Sequence, residues 1–176
     1  MSALNGAMLS TRGSLSLFRR GLGVLCLLEF SGRFGSAEFF LSDVGVLPRT
    51  LFFGLFGGES FWSLGLLGGA LSFVYAFLAF GVLLSLIQVI GRSHRWSRVL
   101  LWLLLVSLQN RNPALWDFAD GLLRMFLFWD IWLPSRVESD ESYQSIAVLG
   151  LQMYLTLCFL VSVSYTHLTL PTTPYV

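Results

Sequence analysis

Residues 60–91 contain no Asp, Glu, Arg or Lys. No other feature of the chain restricts its folding so strongly. A hydrocarbon layer is crossed by about 20 apolar residues, and within lipid every backbone N–H and C=O must find its partner inside the segment, which selects a helix. The part of this run from 69 to 90 is the cleanest candidate span. The rest of the composition agrees. Of 176 residues, 55% are hydrophobic, 15% aromatic and 12% charged, and the mean hydropathy is +0.72. Soluble domains carry about 25% charged residues, so these numbers predict an integral membrane protein and argue against a water-soluble globule.

Net charge is +1, and all eleven basic residues are Arg. The small net charge gives no reason to expect nucleic acid as a partner, and the absence of Lys excludes lysine-based chemistry by this chain. Cys26 and Cys158 sit in apolar runs outside any CxxC pattern and read as packing thiols. With two His and no cysteine cluster, no zinc site is expected. No GxSxG elbow, phosphate-binding loop, HExxH or dinucleotide fingerprint is present, so no catalytic residue is assigned.

The expected architecture is all-α, a polytopic bundle of about five spanning segments plus one interfacial segment. Residues 1–13 read as an exposed arm, 14–162 as the membrane domain and 163–176 as a separate tail. Segment 14–34 is interrupted by Arg19, Arg20 and Glu29. It reads either as a first span or, from its short core 21–28 after two arginines, as a cleavable signal peptide; further spans follow, which favours the helix. Residues 43–49 (DVGVLPR) form a turn. The Phe- and Gly-rich stretch 50–67, with Trp62, suits the headgroup level. A basic loop at 92–98 precedes a short third helix, 99–110, which must borrow flanking residues. The fourth helix is expected over 113–133, with Pro113 in its first turn. A polar loop at 136–141 and an uncharged fifth segment, 142–163, complete the set. Loop arginines concentrate on the cytoplasmic side. An N-terminus inside places Arg12, Arg92, Arg95, Arg98 and Arg136 there, against Arg33, Arg49 and Arg111 outside. In a bacterium, the inner membrane is the expected location.

Ions inside a span cost about 2.5–3.5 kcal/mol each and usually face the bundle interior. Asp117, Asp120 and Arg124 share one face of the fourth helix, and Asp120 and Arg124 have the spacing of an i, i+4 ion pair. Two readings stand: the pair fixes helix register, or the seam lines a polar cavity for substrate or protons. Asp130, near the helix end, reads as interfacial. Of Arg19 and Arg20, one is expected to snorkel and the other to turn inward. Glu29 and Arg33 form another i, i+4 pair. The string Gln109-Asn110-Arg111-Asn112-Pro113 either hydrogen-bonds its corner or presents amides to a ligand. Gln88 and Gln152 read as interhelical hydrogen-bond formers, His94 as solvated. Gly65, Gly68, Gly69 and Gly81 allow close helix approach.

Three strings carry a family resemblance: LFRRGLG at 17–23, DVGVLPR at 43–49, and SLQNRNPALWDFADGLLR at 107–124, running on to Phe128, Trp129 and Pro134. In order and spacing they resemble the HTTM (horizontally transferred transmembrane) domain, which is shared with vitamin K-dependent gamma-carboxylase, over roughly residues 13–162. The family commonly has Gly-Gly before the aspartate matching Asp120, where this chain has Phe118-Ala119, and an amide where it has Asp117. The resemblance implies a multi-spanning membrane protein, with Arg19, Asn110, Arg111, Asn112, Asp120 and Arg124 at the family's polar positions as structural or pocket-lining groups. It implies a reduced quinone as cofactor and a lysine base in a later span. This chain has no lysine, so carboxylation by it alone is not expected, and the function the resemblance implies is that of a part of a quinol-dependent, carboxylase-like membrane enzyme. The alternative function is a non-catalytic transporter half or a scaffold for a protein partner, with the Asp/Arg seam as relay or docking face. No inverted repeat supports the transporter form. Finally, residues 163–173 (VSYTHLTLPTT) resemble the translation of sequencing-adapter read-through, or else form an ordinary polar tail; on the first reading the natural frame departs near Ser162.

Overall fold

The computed structural model describes residues 12–57, 62–133 and 146–168, and among them every regular element is helical. The helices are α1 (Arg12–Gly32), α2 (Ala37–Leu41), α3 (Arg49–Phe56), α4 (Leu71–Ile90), α5 (Arg95–Arg111), α6 (Phe118–Trp132) and α7 (Ile146–Leu168). Short 3-10 turns stand at Phe34–Ser36, Leu64–Leu66 and Pro113–Leu115. The all-α expectation holds. The polar loop at 136–141, residues 1–11 of the arm and residues 169–176 of the tail lie outside the described residues.

α1 and α4 run antiparallel and make the most extensive helix pair. Two glycines allow it. A Cβ on Gly23 would lie 2.8 Å from the backbone N of Val89, and one on Gly81 would strike the ring of Phe30. α5 packs on α4 and α6 on α5, while α7 rests on α6 through Tyr154 edge-on to Phe126 at 6.0 Å and Gly150 against the Trp129 ring. The core gathers Leu22, Cys26 and Phe30 of α1 with Val74, Leu78 and Leu84 of α4, Leu101, Leu105 and Leu108 of α5, and Leu127 of α6.

α4 ends at Gly91, whose φ of +82° is the left-handed conformation that a glycine adopts freely. The N–H groups of Gly91 and Arg92 donate back to the carbonyls of Gln88 and Ile87, closing the last turn. α5 spans 17 residues and takes in the basic loop residues from Arg95 onward, as a short third helix required. The fourth expected helix is divided. Residues 113–115 make a 3-10 turn, Trp116 is extended, and α6 starts afresh at Phe118 because Asp117 caps it. The Asp117 side chain accepts the Asp120 N–H at 2.9 Å, and the Asp120 carboxylate accepts the Asp117 N–H at 3.3 Å, a reciprocal capping box.

Among the described residues, α4 is the helix long and apolar enough to cross a bilayer, with a mean hydropathy of 2.4 over its most apolar window. α1 carries Arg19, Arg20 and Glu29, α5 and α6 are 17 and 15 residues long, and the described apolar stretch of α7 is Gly150–Ser164.

Candidate functional site

Near one end of the bundle, four helices each direct one polar side chain at a common point. The α6 carboxylate of Asp130 is fully buried. Its Oδ1 accepts from Arg19 Nε of α1 at 2.8 Å, and its Oδ2 accepts from Gln88 Nε2 of α4 at 2.8 Å. Arg98 of α5, 1% exposed, stands with Nη1 3.5 Å from Oδ1 and donates to the Asp130 backbone carbonyl at 2.6 Å. Arg19 Nη2 also donates to the carbonyl of Leu133 at 3.0 Å. The last carbonyls of a helix lack intrahelical donors and carry its partial negative charge. α6 has no base of its own in that turn, and two arginines from other helices supply the missing N–H groups.

This placement corrects the reading of Asp130 as interfacial. Its position near the helix end is as expected, but it faces inward because it shares the stripe of Leu123 and Leu127. The other three partners follow the same rule. Arg19 continues the stripe Leu22, Cys26, Phe30; Gln88 continues Leu78, Gly81, Ser85; Arg98 continues Leu101, Leu105, Leu108. A polar side chain on an apolar stripe is the signal that could have located the cluster, since helical phase alone brings all four inward. Of the adjacent arginines, Arg19 turns inward and Arg20 lies exposed.

The expected Asp117, Asp120 and Arg124 seam is arranged differently. Asp117 is an exposed cap. Asp120 and Arg124 make no direct ion pair and meet instead through Gln109. Arg124 Nε donates to Gln109 Oε1 at 2.8 Å, while Gln109 Nε2 donates to the Asp120 carbonyl at 3.1 Å and to its carboxylate at 3.3 Å. The guanidinium of Arg124 also lies 4.9 Å over the Trp116 ring and reaches Asn110 Oδ1 at 3.3 Å. Direct pairing loses because Asp120 is committed to the cap one turn below.

The corner string is used for hydrogen bonding. Asn110 Nδ2 donates to the carbonyl of Trp62 at 2.8 Å, Arg111 Nη1 to that of Leu47 at 2.9 Å, and Asn112 Nδ2 to that of Phe40 at 3.5 Å. The first two fasten irregular segments, and the third the short helix α2, to the end of α5. Arg111 also stands 3.8 Å from Asp43, which Arg49 grips at 2.6–3.0 Å. The hydrogen bond from the Arg49 guanidinium holds the Asp43 carboxyl below its ordinary range. Asp43 thus repeats, at the opposite end of α4 and α5, the arrangement of one carboxylate between two arginines. Gln88 makes the interhelical bond expected of it, the Glu29–Arg33 pair forms at 2.8 Å, and His94 is exposed.

Two open clefts adjoin this corner. One is lined by Leu41, Phe73, Val74, Phe77, Leu108 and Arg111. The other is lined by Arg33, Gln109, Asn112, Trp116 and Asp120 with Leu115. A quinol ring needs an apolar slot with convergent polar groups. In the first cleft the lining is apolar apart from Ser107 and Arg111, and in the second the amides are already engaged by the protein. Neither cleft encloses more than about 10 Å³, room for a water molecule and not for a quinone ring. Among the described residues no cluster of His, Cys, Asp and Glu could hold a metal ion.

Comparison with family models, with curated proteins and with solved structures returns no match to this chain.

Proposed function

We propose that the chain is a polytopic membrane protein of the HTTM type, its N-terminus cytoplasmic, in which the buried Arg19–Asp130–Arg98 cluster locks the helices together within the bilayer. The observation that carries this reading is the inverted distribution of side chains. Arg98, Arg111, Gln88 and Asp130 lie among the least exposed residues, while Leu17, Leu28, Phe80, Leu83, Met153 and Phe159 face outward. Only 33% of the apolar window of α4 is buried in the protein, whereas a helix apolar on all sides in a soluble protein is enclosed on most of them. A surface of this kind is disfavoured in water and suits acyl chains. α1, α5, α6 and α7 join α4 as spans in this reading, with Arg19, Arg98 and Asp130 of the first three directed at one another.

The polar groups of the corner are bonded to the chain's own carbonyls, which supports a scaffold over a relay for the Asp120/Arg124 seam. The quinone and lysine chemistry that the resemblance implies has no counterpart among these residues, so the activity proposed for this chain is architectural: a stable helical framework for a protein partner. Carbonate extraction tests the membrane assignment; retention in the pellet is expected, and release into the supernatant would overturn it. Flux across proteoliposomes that disappears in Asp120→Asn would return the seam to the relay reading.

A further inference from the structure

The turn joining α4 to α5 concentrates positive charge and exposed indole. Arg92 and Arg95 are exposed, as is His94 between them, and Arg20 of α1 is brought alongside, its guanidinium 3.6 Å from where a Cβ on Gly91 would sit. None of the three arginines forms an ion pair among the described residues, in contrast to Arg19, Arg33, Arg49, Arg98 and Arg111. Trp96 is 79% exposed and Trp132 55%, and the Arg95 guanidinium lies 5.1 Å over the Trp132 ring. Five of the other described arginines face a carboxylate; here three stand together with none among the described residues.

We propose that this patch, formed by Arg20, Arg92, Arg95, Trp96 and Trp132, binds the headgroups of anionic phospholipids in the leaflet at that end of the bundle. The inference rests on the membrane reading above and adds a lipid class to it. Charge complementarity selects an anion, because a cluster of guanidinium groups without counter-charge is stabilised by phosphodiester oxygens, which accept paired N–H bonds. Indole selects the interface, because Trp partitions to the headgroup level with its ring among the upper acyl carbons and its N–H toward water. Gly91 sets the geometry: its left-handed backbone turns the chain within one residue, so Arg92 and Arg95 emerge beside Arg20 rather than along the helix axis.

The test uses the full chain reconstituted in phosphatidylcholine vesicles with a minor fraction of phosphatidylglycerol. Tryptophan quenching by brominated phosphatidylglycerol is compared with quenching by brominated phosphatidylcholine at equal mole fraction. The expected result is an enrichment of phosphatidylglycerol of at least about fivefold, the worth of one arginine near an anionic surface. It should shrink as salt rises from about 0.05 to 0.5 M, vanish in the triple variant R20Q/R92Q/R95Q and persist in R20K/R92K/R95K. Equal quenching by the two lipids overturns the proposal while leaving the membrane reading intact, and so does an excess that survives the glutamine variant. If that variant does not fold, a wild-type enrichment insensitive to salt overturns it equally. Quenching by neither lipid overturns both readings. Binding of soluble polyglutamate in pure phosphatidylcholine, without lipid enrichment, would assign the patch to an acidic protein and overturn the lipid proposal.

Discussion

At the scale of single residues, Asp130 carries the heaviest obligation. It is the one carboxylate against two guanidinium groups and an amide, so its loss leaves buried positive charge with no counter-ion. Removing one partner of such a cluster costs about 3–5 kcal/mol. Asp130→Ala should therefore lower the thermal unfolding midpoint in detergent far more than Asp120→Ala, which loses a partly exposed cap bond worth about 1 kcal/mol. Equal shifts in the two variants would count against Asp130 as the centre. Asp43 supplies a pH dependence. Its folded-state pKa lies below the ordinary 3.8 because Arg49 hydrogen-bonds the ionised form, so the unfolded chain takes up this proton more readily than the folded one. The contribution is complete at neutral pH and is lost as pH falls through the ordinary carboxylate value toward the lowered one. Asp43 is about one-third exposed, and solvent screening keeps its share below about 1 kcal/mol. The acid side of the stability–pH curve should flatten in Asp43→Asn; an unchanged curve would show that Asp43 does not contribute.

At the scale of elements, α1 and α4 depend on two missing side chains. Gly81→Ala drives a methyl group into the Phe30 ring, and overpacking of this kind costs about 1–3 kcal/mol. Combining it with Phe30→Leu should restore part of the loss. The double-mutant cycle measures this directly, and strict additivity would mean that the two residues do not touch. The elements themselves were largely legible in the sequence. Apolar runs between charged residues announced α1, α4 and α5, the uncharged run after Glu141 announced α7, and Pro48 and Gly45 announced the turn at 42–48. The break ahead of α6 was less so. Pro113 is as acceptable in a first helical turn as in a 3-10 turn, and only the reciprocal bonds of Asp117 and Asp120 decide that the helix begins later. Local periodicity also overrated the Asp120–Arg124 spacing, because i, i+4 proximity cannot reveal that Gln109, on another helix, takes both partners. The Asp130 cluster was readable in principle, residue by residue, as three ions and an amide on apolar stripes. That these four stripes converge is a tertiary fact.

At the scale of the whole molecule, one carboxylate held between two arginines occurs toward each end of the α4–α5 pair, Asp130 at one and Asp43 at the other. In the proposed membrane orientation the Asp130 end is cytoplasmic. A cysteine introduced as Ser93→Cys, in a background with Cys26 and Cys158 replaced by Ala, should react with an impermeant maleimide only after inverted or permeabilised membranes expose it. Labelling of intact cells would reverse the topology. The separation of the Asp130 partners along the chain has a further consequence for biogenesis. Arg19 precedes Asp130 by 111 residues, and at about 5–20 residues per second the ribosome needs on the order of ten seconds to supply that counter-charge. On the proposed membrane reading, the nascent first helix until then holds an uncompensated cation; it would linger at the lipid–water boundary or shelter in the insertion machinery and settle when the sixth helix arrives to claim it.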